Sequence, residues 1–550
     1  MALVVGSGLL GGGRAQASVN LPLHHWAYEA IERLTALGVI DRAMVVPKPY
    51  SRKQAAKYVA RAIEGVRADQ VPLDGREAIA EPLLDRLMRE LRPELTDLGA
   101  ISARRASGRD TRESQDTQQT QKTRDAIRYG ARLQTEFDAF SVGGGQTVRF
   151  RENRGGEYYV NGEQNQTDVR GWFELTDWAA FTVQPKFISN RHILGIGATN
   201  NSQNFYLREF NLKLSHFNIA LEAGRGTQWW GPGYHGSLLL TDHAFPLDMI
   251  KLGSDEPFRL PWLLRGLGDW KVNSFLAQLD RDRDFSRAKL FGLRISYLPT
   301  SWLELGVTRL TQFGGRGRNQ SFPKAVTDAY TSAPNQEGDR QVNEQVMLDF
   351  RATVPKIPYL LPFPGGMQLY GELGSEDKWS QIPFPSRNAI LGGVYIPQVF
   401  PGDSMDLRIE YADTDIGRRR HPELTQVWYN NGTYVSGMRY RGFPLGHHMG
   451  TDGIDFFVRT TRYLTETLQL GTNFNLQERD RGAPVHERKR EAALDLTWWL
   501  SSQTQFTVGY TYQRLRNPGQ ITSINPFIET FAPGVIANNH FLWTSLVVEF

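Results

Sequence analysis

The sequence predicts a mainly β protein, a transmembrane antiparallel β-barrel of about 18 strands preceded by an N-terminal α-helical bundle. Three observations predict this fold class. Apolar and polar residues alternate through most of the chain after Ala126, and tight turns alternate with long polar connections. No apolar run after the first few residues reaches the ~20 residues of a transmembrane helix. Tilted strands of ~9–11 residues with one apolar face are what a membrane-spanning barrel requires.

The composition agrees with this class. The chain has 550 residues, a formal charge of +4, and 13 Trp, 20 Tyr and 29 Phe. Because the net charge is small, it gives no reason to expect a nucleic-acid partner. The absence of cysteine is consistent with export through an oxidising compartment, although many bacterial proteins also have few cysteines.

The first 17 residues are interpreted as a signal peptide. Ala2–Leu10 is a short apolar stretch, and Ala15-Gln16-Ala17 has the small-x-small pattern of a cleavage site. We therefore expect the folded protein to begin near Ser18.

Residues 18–100 predict a helical domain. Apolar residues recur at three-residue spacing from Trp26 and stop at Gly38, which suits a left-handed helix cap. A second helix is predicted from Ser51, because Ser51-Arg52-Lys53-Gln54 has the capping-box form. A third is expected over Asp74–Leu91, bent or divided at Pro82. Residues 101–125 are polar, with scarcely a large apolar side chain, and are expected to form a linker.

Residues 126–550 are expected to form the barrel. About seventeen strands follow from the alternation, but a single-chain bacterial barrel needs an even number for both of its ends to lie on the periplasmic side. The alternation of short and long connections breaks only between Gly226 and Gly268, so the missing strand is predicted there, around Ala244–Leu252. The terminal Phe550 on an alternating strand resembles the C-terminal signal that the barrel assembly machinery recognises.

Several motifs occur in a specific order along the predicted barrel. The ordered set resembles the Wzi family of capsule-assembly proteins, from Tyr50 to the C-terminus. Its segments are 224–238 (GRGTQWWGPGYHGSL), 257–261 (PFRLP), 312–318 (QFGGRGR), 428–430 (WYN), 440–442 (YRG), 445–447 (LGH) and 450–452 (GTD).

The resemblance implies an outer-membrane barrel of about 18 strands, with its helical domain on the periplasmic side. It also implies a lectin-like protein that binds capsular or extracellular polysaccharide during assembly and surface attachment, with an occluded lumen. The implied partners are that polysaccharide, outer-membrane lipids, lipopolysaccharide and, during biogenesis, the barrel assembly machinery. The polar linker departs from the family pattern.

The aromatic loop is the first candidate for polysaccharide binding. Trp229, Trp230 and Tyr234 could stack on sugar rings, while Arg225 and His235 could bind hydroxyl or carboxylate groups. The alternative is that the tryptophans pack this loop against the barrel wall.

A basic triplet in a predicted outer loop is the second candidate. The positive charge of Arg418, Arg419 and Arg420 could hold an acidic polymer. The alternative is that these side chains face lipopolysaccharide phosphates or solvent.

No motif predicts an enzyme, a cofactor or a bound metal. The alternating carboxylates of Asp280–Asp284 resemble a calcium loop, but Phe291 stands where the bidentate Glu is needed. The pairs His24-His25 and His447-His448 lack further ligands at zinc spacing. Gly-x-Ser-x-Gly, P-loop and dinucleotide motifs are not convincingly present.

Alternatives remain open for both parts of the chain. The helical domain partly resembles a single S-layer homology module, which grips the cell wall in some outer-membrane proteins, whereas the simpler interpretation is a helical plug at the barrel's periplasmic mouth. For the barrel, the main alternative to a polysaccharide-binding protein is a porin-like channel, because polar inner faces suit either a channel or a filled lumen.

Overall fold

A computed structural model gives the structure of most of the chain. The described residues are 17–68, 75–102, 127–145, 148–191, 204–318, 321, 323–324, 327, 341–354, 363, 365–376, 388–417 and 426–550. The predicted signal peptide lies outside them except for Ala17, and the predicted linker lies outside them except for residues 101–102.

Among the described residues, four α-helices precede the barrel and share one apolar core. They are α1 (Ala27–Ala36), α2 (Arg52–Arg67), α3 (Glu77–Glu90) and α4 (Arg92–Asp97). In the described part of the chain, no helix is both long enough and apolar enough to cross a membrane.

The helix ends follow the sequence signals. Gly38 adopts the left-handed conformation just after α1, with φ +75°. The Ser51 hydroxyl accepts a hydrogen bond of 3.1 Å from the Gln54 amide, which confirms the predicted N-cap of α2. Pro82 does not divide α3, and the apolar residues that follow it are buried in the helical core.

Eighteen antiparallel strands form a closed barrel, which confirms the predicted fold class. The barrel strands are β1 (Arg128–Ser141), β2 (Gly162–Thr176), β3 (Ala179–Ile188), β4 (Phe205–His216), β5 (Ile219–Gly226), β6 (Leu247–Ser254), β7 (Asp269–Gln278), β8 (Lys289–Thr300), β9 (Leu303–Phe313), β10 (Asn343–Val354), β11 (Met367–Glu376), β12 (Ala389–Ile396), β13 (Leu407–Asp413), β14 (Ile454–Thr465), β15 (Leu468–Arg479), β16 (Glu487–Trp499), β17 (Thr504–Arg516) and β18 (Ile536–Glu549).

The strand predicted from parity exists. This strand is β6, which pairs with β5 over eight residues and with β7 over six. It begins at Leu247, three residues later than predicted. Consecutive strands are neighbours throughout, and β18 closes the barrel against β1.

The barrel carries its polar residues inside. On β1, Arg132, Glu136 and Asp138 are buried in the lumen, whereas Tyr129 and Phe137 are 74% and 41% exposed on the outer surface. The predicted alternation is therefore confirmed, with each apolar face turned outward. This arrangement suits a barrel whose outer surface contacts lipid.

The two ends of the barrel differ. One end carries two-residue turns at 177–178, 217–218, 301–302 and 466–467, together with the start of β1 and the end of β18. The other end carries the long connections, including 142–161, 227–246, 414–453 and 517–535.

The helices plug the barrel at the short-turn end. Arg33 of α1 donates to the carbonyl oxygens of Pro397 and Ser404, which lie in the connection between β12 and β13. The Val45 and Val46 amides donate to the buried Glu304 carboxylate on β9 at 3.1 and 3.2 Å. These contacts favour the helical plug over a free cell-wall module.

Candidate functional site

The loop between β5 and β6, residues 227–246, folds into the lumen and not over the surface. Two wall carboxylates hold its backbone. Glu372 on β11 accepts from the Gly233 and Leu238 amides at 3.1 and 2.7 Å. Glu410 on β13 accepts from the Tyr234 and His235 amides at 2.7 and 3.0 Å. Because the loop amides are satisfied by the barrel wall, the aromatic motif becomes part of the interior.

The two tryptophans of this loop are buried. Trp229 is 8% exposed and Trp230 is 1% exposed, and the Trp230 ring lies 5.2 Å from that of Phe275. The pair forms a short ladder with Pro47 and Lys48, ahead of α2. Both rings are buried because the loop turns inward, so the contacts they make are those of the packing alternative. Their part in polysaccharide binding stays a prediction.

Tyr234 and His235 also face interior partners. The Tyr234 hydroxyl donates to Glu29 of α1 at 3.0 Å. The His235 ring stacks on Phe457 at 3.9 Å, and its Nδ1 lies 2.8 Å from Asp455. Burial alone would lower the pKa of His235, but the Asp455 carboxylate outweighs that effect and raises it.

Arg225, the arginine of the aromatic-loop candidate, has partners other than these residues. Arg225, near the end of β5, forms a two-point ion pair with Asp248 on β6 at 2.7 and 3.0 Å. Its guanidinium is therefore engaged by the neighbouring strand. Arg418, Arg419 and Arg420 lie outside the described residues, so their part in binding stays a prediction.

A cavity of about 380 Å³ lies among the long connections, opposite the helical plug. We call it the outer cavity. Two segments form most of its wall, residues 426–451 and the hairpin of Gly519–Ile524 with Phe527–Phe531. Side-chain amides, charged groups and aromatic rings all line it. Those groups are Gln426, Asn430, Asn431, Arg439, Arg479, Asp480, Glu529, Phe150, Phe443 and Phe527.

Arg439 is the central cation of the outer cavity. Its guanidinium lies 3.8 Å above the Phe527 ring and donates to the side chains of Asn430 and Thr451 at 2.7 and 2.9 Å. Within the described part of the chain, no carboxylate forms an ion pair with it. Burial lowers the pKa of Arg439 to about 10.

Acidic groups on the same wall balance this charge. Glu529 is paired with Arg479 at 2.5 Å, and Asp480 accepts from Gln426 at 3.0 Å. Burial raises the pKa of Asp480. The outer cavity therefore offers donors, acceptors and an aromatic ring together, a combination that suits a polyhydroxylated ligand.

The sequence did not single out the outer cavity as a binding site. Its charged residues come from two connections and from the end of β15, which are far apart in sequence, and only the barrel topology brings them together. The length of the connections at Asp415–Thr451 and Asn517–Asn538 was the available signal, because loops carry binding residues disproportionately often.

These features define the class of protein. It is a membrane-spanning β-barrel filled by N-terminal helices and an inward loop, with a polar and aromatic cavity at the opposite end. The chain belongs to the capsule assembly protein Wzi family, whose model matches residues 132–522. It is therefore an outer-membrane β-barrel of that family.

Among the known proteins that are similar to this chain are a curated relative and a protein of solved structure. An uncharacterised 55.8 kDa protein in the cps region of Klebsiella pneumoniae is 31% identical over 255 residues, which are 46% of this chain. The match spans about half, 48%, of the length of that relative. The structure of Escherichia coli Wzi is similar with a TM-score of 0.65 and 19% identity, covering 96% of this chain and 99% of that one. That protein is described as an outer-membrane, carbohydrate-binding β-barrel involved in group 1 capsule assembly.

Proposed function

We propose that this protein binds capsular or extracellular polysaccharide at the outer cavity and acts in its assembly and attachment at the cell surface. The observation that carries the proposal is the outer cavity itself, found in a chain of a capsule-assembly family. The carbohydrate binding described for E. coli Wzi supports the same ligand class.

The chemistry of the outer cavity supports binding of sugar rings. The Phe527 ring supplies an apolar surface of the kind that stacks on the apolar face of a pyranose. Arg439 and Asn430 supply donors beside it, and Asp480 supplies acceptor atoms. We propose a binding role and not catalysis, because the family is one of assembly proteins.

The orientation follows from the connections. We propose that the plugged end faces the periplasm and the outer cavity faces the exterior, because outer-membrane barrels have short periplasmic turns and longer outer loops. The outward apolar face would then contact outer-membrane lipids and lipopolysaccharide. Phe550 pairs through its backbone with Ala131 on β1. We propose that it is the C-terminal signal that the barrel assembly machinery recognises during insertion.

The test is binding of purified capsular polysaccharide to the full-length protein in detergent. Phe527→Ala should weaken binding about 2- to 10-fold, since one aromatic contact contributes ~0.5–1.5 kcal/mol. Asp480→Asn should also weaken it, because an acceptor oxygen is lost without a change of size. The matched control is Asp177→Asn, an exposed residue in the turn after β2 at the other end of the barrel.

The outcomes separate the hypotheses. No polysaccharide binding by the folded wild-type protein would overturn the proposed function. Equal binding by wild-type protein and both cavity variants would move the site elsewhere, with Arg418 to Arg420 next to test. Large, steady conductance steps in a planar bilayer would instead favour the porin-like channel.

A further inference from the structure

Histidines gather at one place inside the barrel. The chain has 11 histidines, and His235, His243, His447 and His448 lie together between the inward loop and the connection before β14. All four are at most partly exposed, and three of them are buried. Sequence spacing could not reveal this cluster, because only His447 and His448 are neighbours in the chain.

Three ligand atoms of this region converge on one point. Glu152 Oε2 lies 3.8 Å from His235 Nε2 and 3.7 Å from His448 Nε2, and all three atoms are within 4.8 Å of one another. Two ligands at ~2.0–2.1 Å from a tetrahedral metal ion are about 3.3 Å apart. The observed separations are therefore close to those of a metal site and need only small shifts.

The surroundings also have the form of a metal site. His235 uses its other ring nitrogen, Nδ1, to contact the Asp455 carboxylate at 2.8 Å. A metal-ligating histidine almost always donates its other ring N–H to a carboxylate, a backbone carbonyl or water, which fixes the ring and its tautomer. Asp455 is itself held by Asn475 at 2.7 Å. The Gln477 amide lies 3.2 Å from His448 Nε2 and would have to turn its oxygen or move aside.

The local charge favours a cation. Lys489 lies 2.5 Å from Glu152 Oε1 and 3.7 Å from Glu491, so it occupies the Glu152 oxygen that faces away from the histidines. Glu152, Asp455 and Glu491 carry three negative charges against the single positive charge of Lys489. No arginine forms an ion pair with these carboxylates in the part of the chain that the structure describes. If the imidazole rings are neutral, these four groups carry a net charge of −2, which a divalent cation would neutralise.

We propose that Glu152, His235 and His448 bind a divalent transition-metal ion. Two imidazole nitrogens and one carboxylate oxygen are a ligand set that suits zinc. The three ligands come from three long connections, 142–161, 227–246 and 414–453, so the ion would cross-link the chain directly beneath the outer cavity, which His448 also lines. This inference does not depend on the proposed function.

The experiment is zinc titration of the full-length, untagged protein in detergent, after treatment with a chelator and dialysis. Isothermal titration should detect one tight equivalent of Zn²⁺, and His235→Gln and His448→Gln should each weaken it at least tenfold. The matched control, His216→Gln, removes a histidine in the exposed end of β4 and should leave zinc binding unchanged. Substitution with Co²⁺ should give the visible absorption of a tetrahedral site in wild-type protein and not in the two variants.

A gel-mobility shift between unheated and heated samples reports whether each variant has a closed barrel. Folded wild-type protein that binds no stoichiometric zinc would overturn the proposal. Undiminished binding by a folded His235→Gln/His448→Gln double variant would also overturn it. If a variant fails to fold, the wild-type Co²⁺ spectrum and its loss on adding chelator decide the question.

Discussion

Lys48 and Trp229 are partners in a two-residue antiparallel ladder that joins the helical plug to the inward loop of the barrel. The next pair is Pro47 with Trp230, and the Trp230 amide also donates to the Leu240 carbonyl. The plug and the inward loop are thus hydrogen-bonded into one interior unit. A substitution that destabilises the plug should therefore also destabilise the inward loop, and the reverse.

Trp230→Ala should destabilise this interior unit. The ring is 1% exposed and packs on Phe275, so its removal leaves a cavity and should cost ~3–5 kcal/mol. The midpoint of unfolding in urea should fall, while the folded fraction should bind polysaccharide as tightly as wild-type protein. Trp262→Ala, at a residue 92% exposed, is the control. A stable Trp230→Ala variant with tenfold weaker binding would restore the sugar-stacking role.

Arg33→Ala should loosen the plug and leave the barrel intact. Arg33 donates to the Pro397 carbonyl at 3.0 and 3.2 Å and to the Ser404 carbonyl at 2.5 Å. Leaving such buried acceptors unsatisfied costs ~1–3 kcal/mol. Amides of α1 should then exchange hydrogen faster, as mass spectrometry can measure. Arg89→Ala, whose side chain is 60% exposed, should have no effect. Equal exchange in both variants would contradict the docking described above.

Arg294 and Asp349 form a buried ion pair in the lumen. The two hydrogen bonds between them are 2.7 and 2.9 Å, and both side chains are fully buried. Arg294→Met should lower the free energy of unfolding by ~3–5 kcal/mol, because it leaves a buried carboxylate without its partner. The double variant Arg294→Met/Asp349→Leu should lose less. A double variant less stable than the single one would contradict this explanation, because removing the unpaired carboxylate should recover stability.

The loop before β14 should become less stable as the pH rises. Burial raises the pKa of Asp452 to about 7 from 3.8, helped by the nearby Asp415 and Asp480 carboxylates. The folded chain therefore holds this proton more tightly than the unfolded chain. Between about pH 4 and pH 7, stability should fall by roughly 1.4 kcal/mol per pH unit from this group.

Asp452→Asn removes the titrating proton and should flatten that part of the pH profile. The measurement is the free energy of unfolding across this pH range, with hydrogen exchange of residues 426–453 as a local readout. Asp282→Asn, at an exposed position, is the control and should keep the wild-type slope. The same slope in Asp452→Asn and wild-type protein would show that the proton is held elsewhere.

Much of the fold could be predicted from the sequence. Alternation on β1 and β16 predicted strands with one lipid-facing side. Strand parity required one more strand, and the break in the alternation of short and long connections placed it, as β6, between Gly226 and Gly268. Both signals reflect physical requirements of a closed barrel in a membrane. The start of β6 was displaced by three residues, because alternation gives the face of a strand better than its ends.

The site was harder to predict. An aromatic loop such as 227–246 looks alike in sequence whether it points outward or inward. The inward direction is set by Glu372 and Glu410, which lie on strands distant in sequence and accept hydrogen bonds from the loop amides. The outer cavity and the histidine cluster likewise depend on residues that only the barrel topology brings together.

The seam of the barrel has a consequence for assembly. β1 pairs with β18, as in the partners Arg132 and Glu549, whereas every other neighbouring pair of strands is consecutive in the chain. Neighbouring strands can therefore pair in succession along the chain. β1 and β18 can complete the closed barrel only when all the other pairs have formed. Until then, the growing sheet has two open edges that could pair with strands of another chain. The waiting time before closure is thus the period in which this protein is most exposed to misassembly.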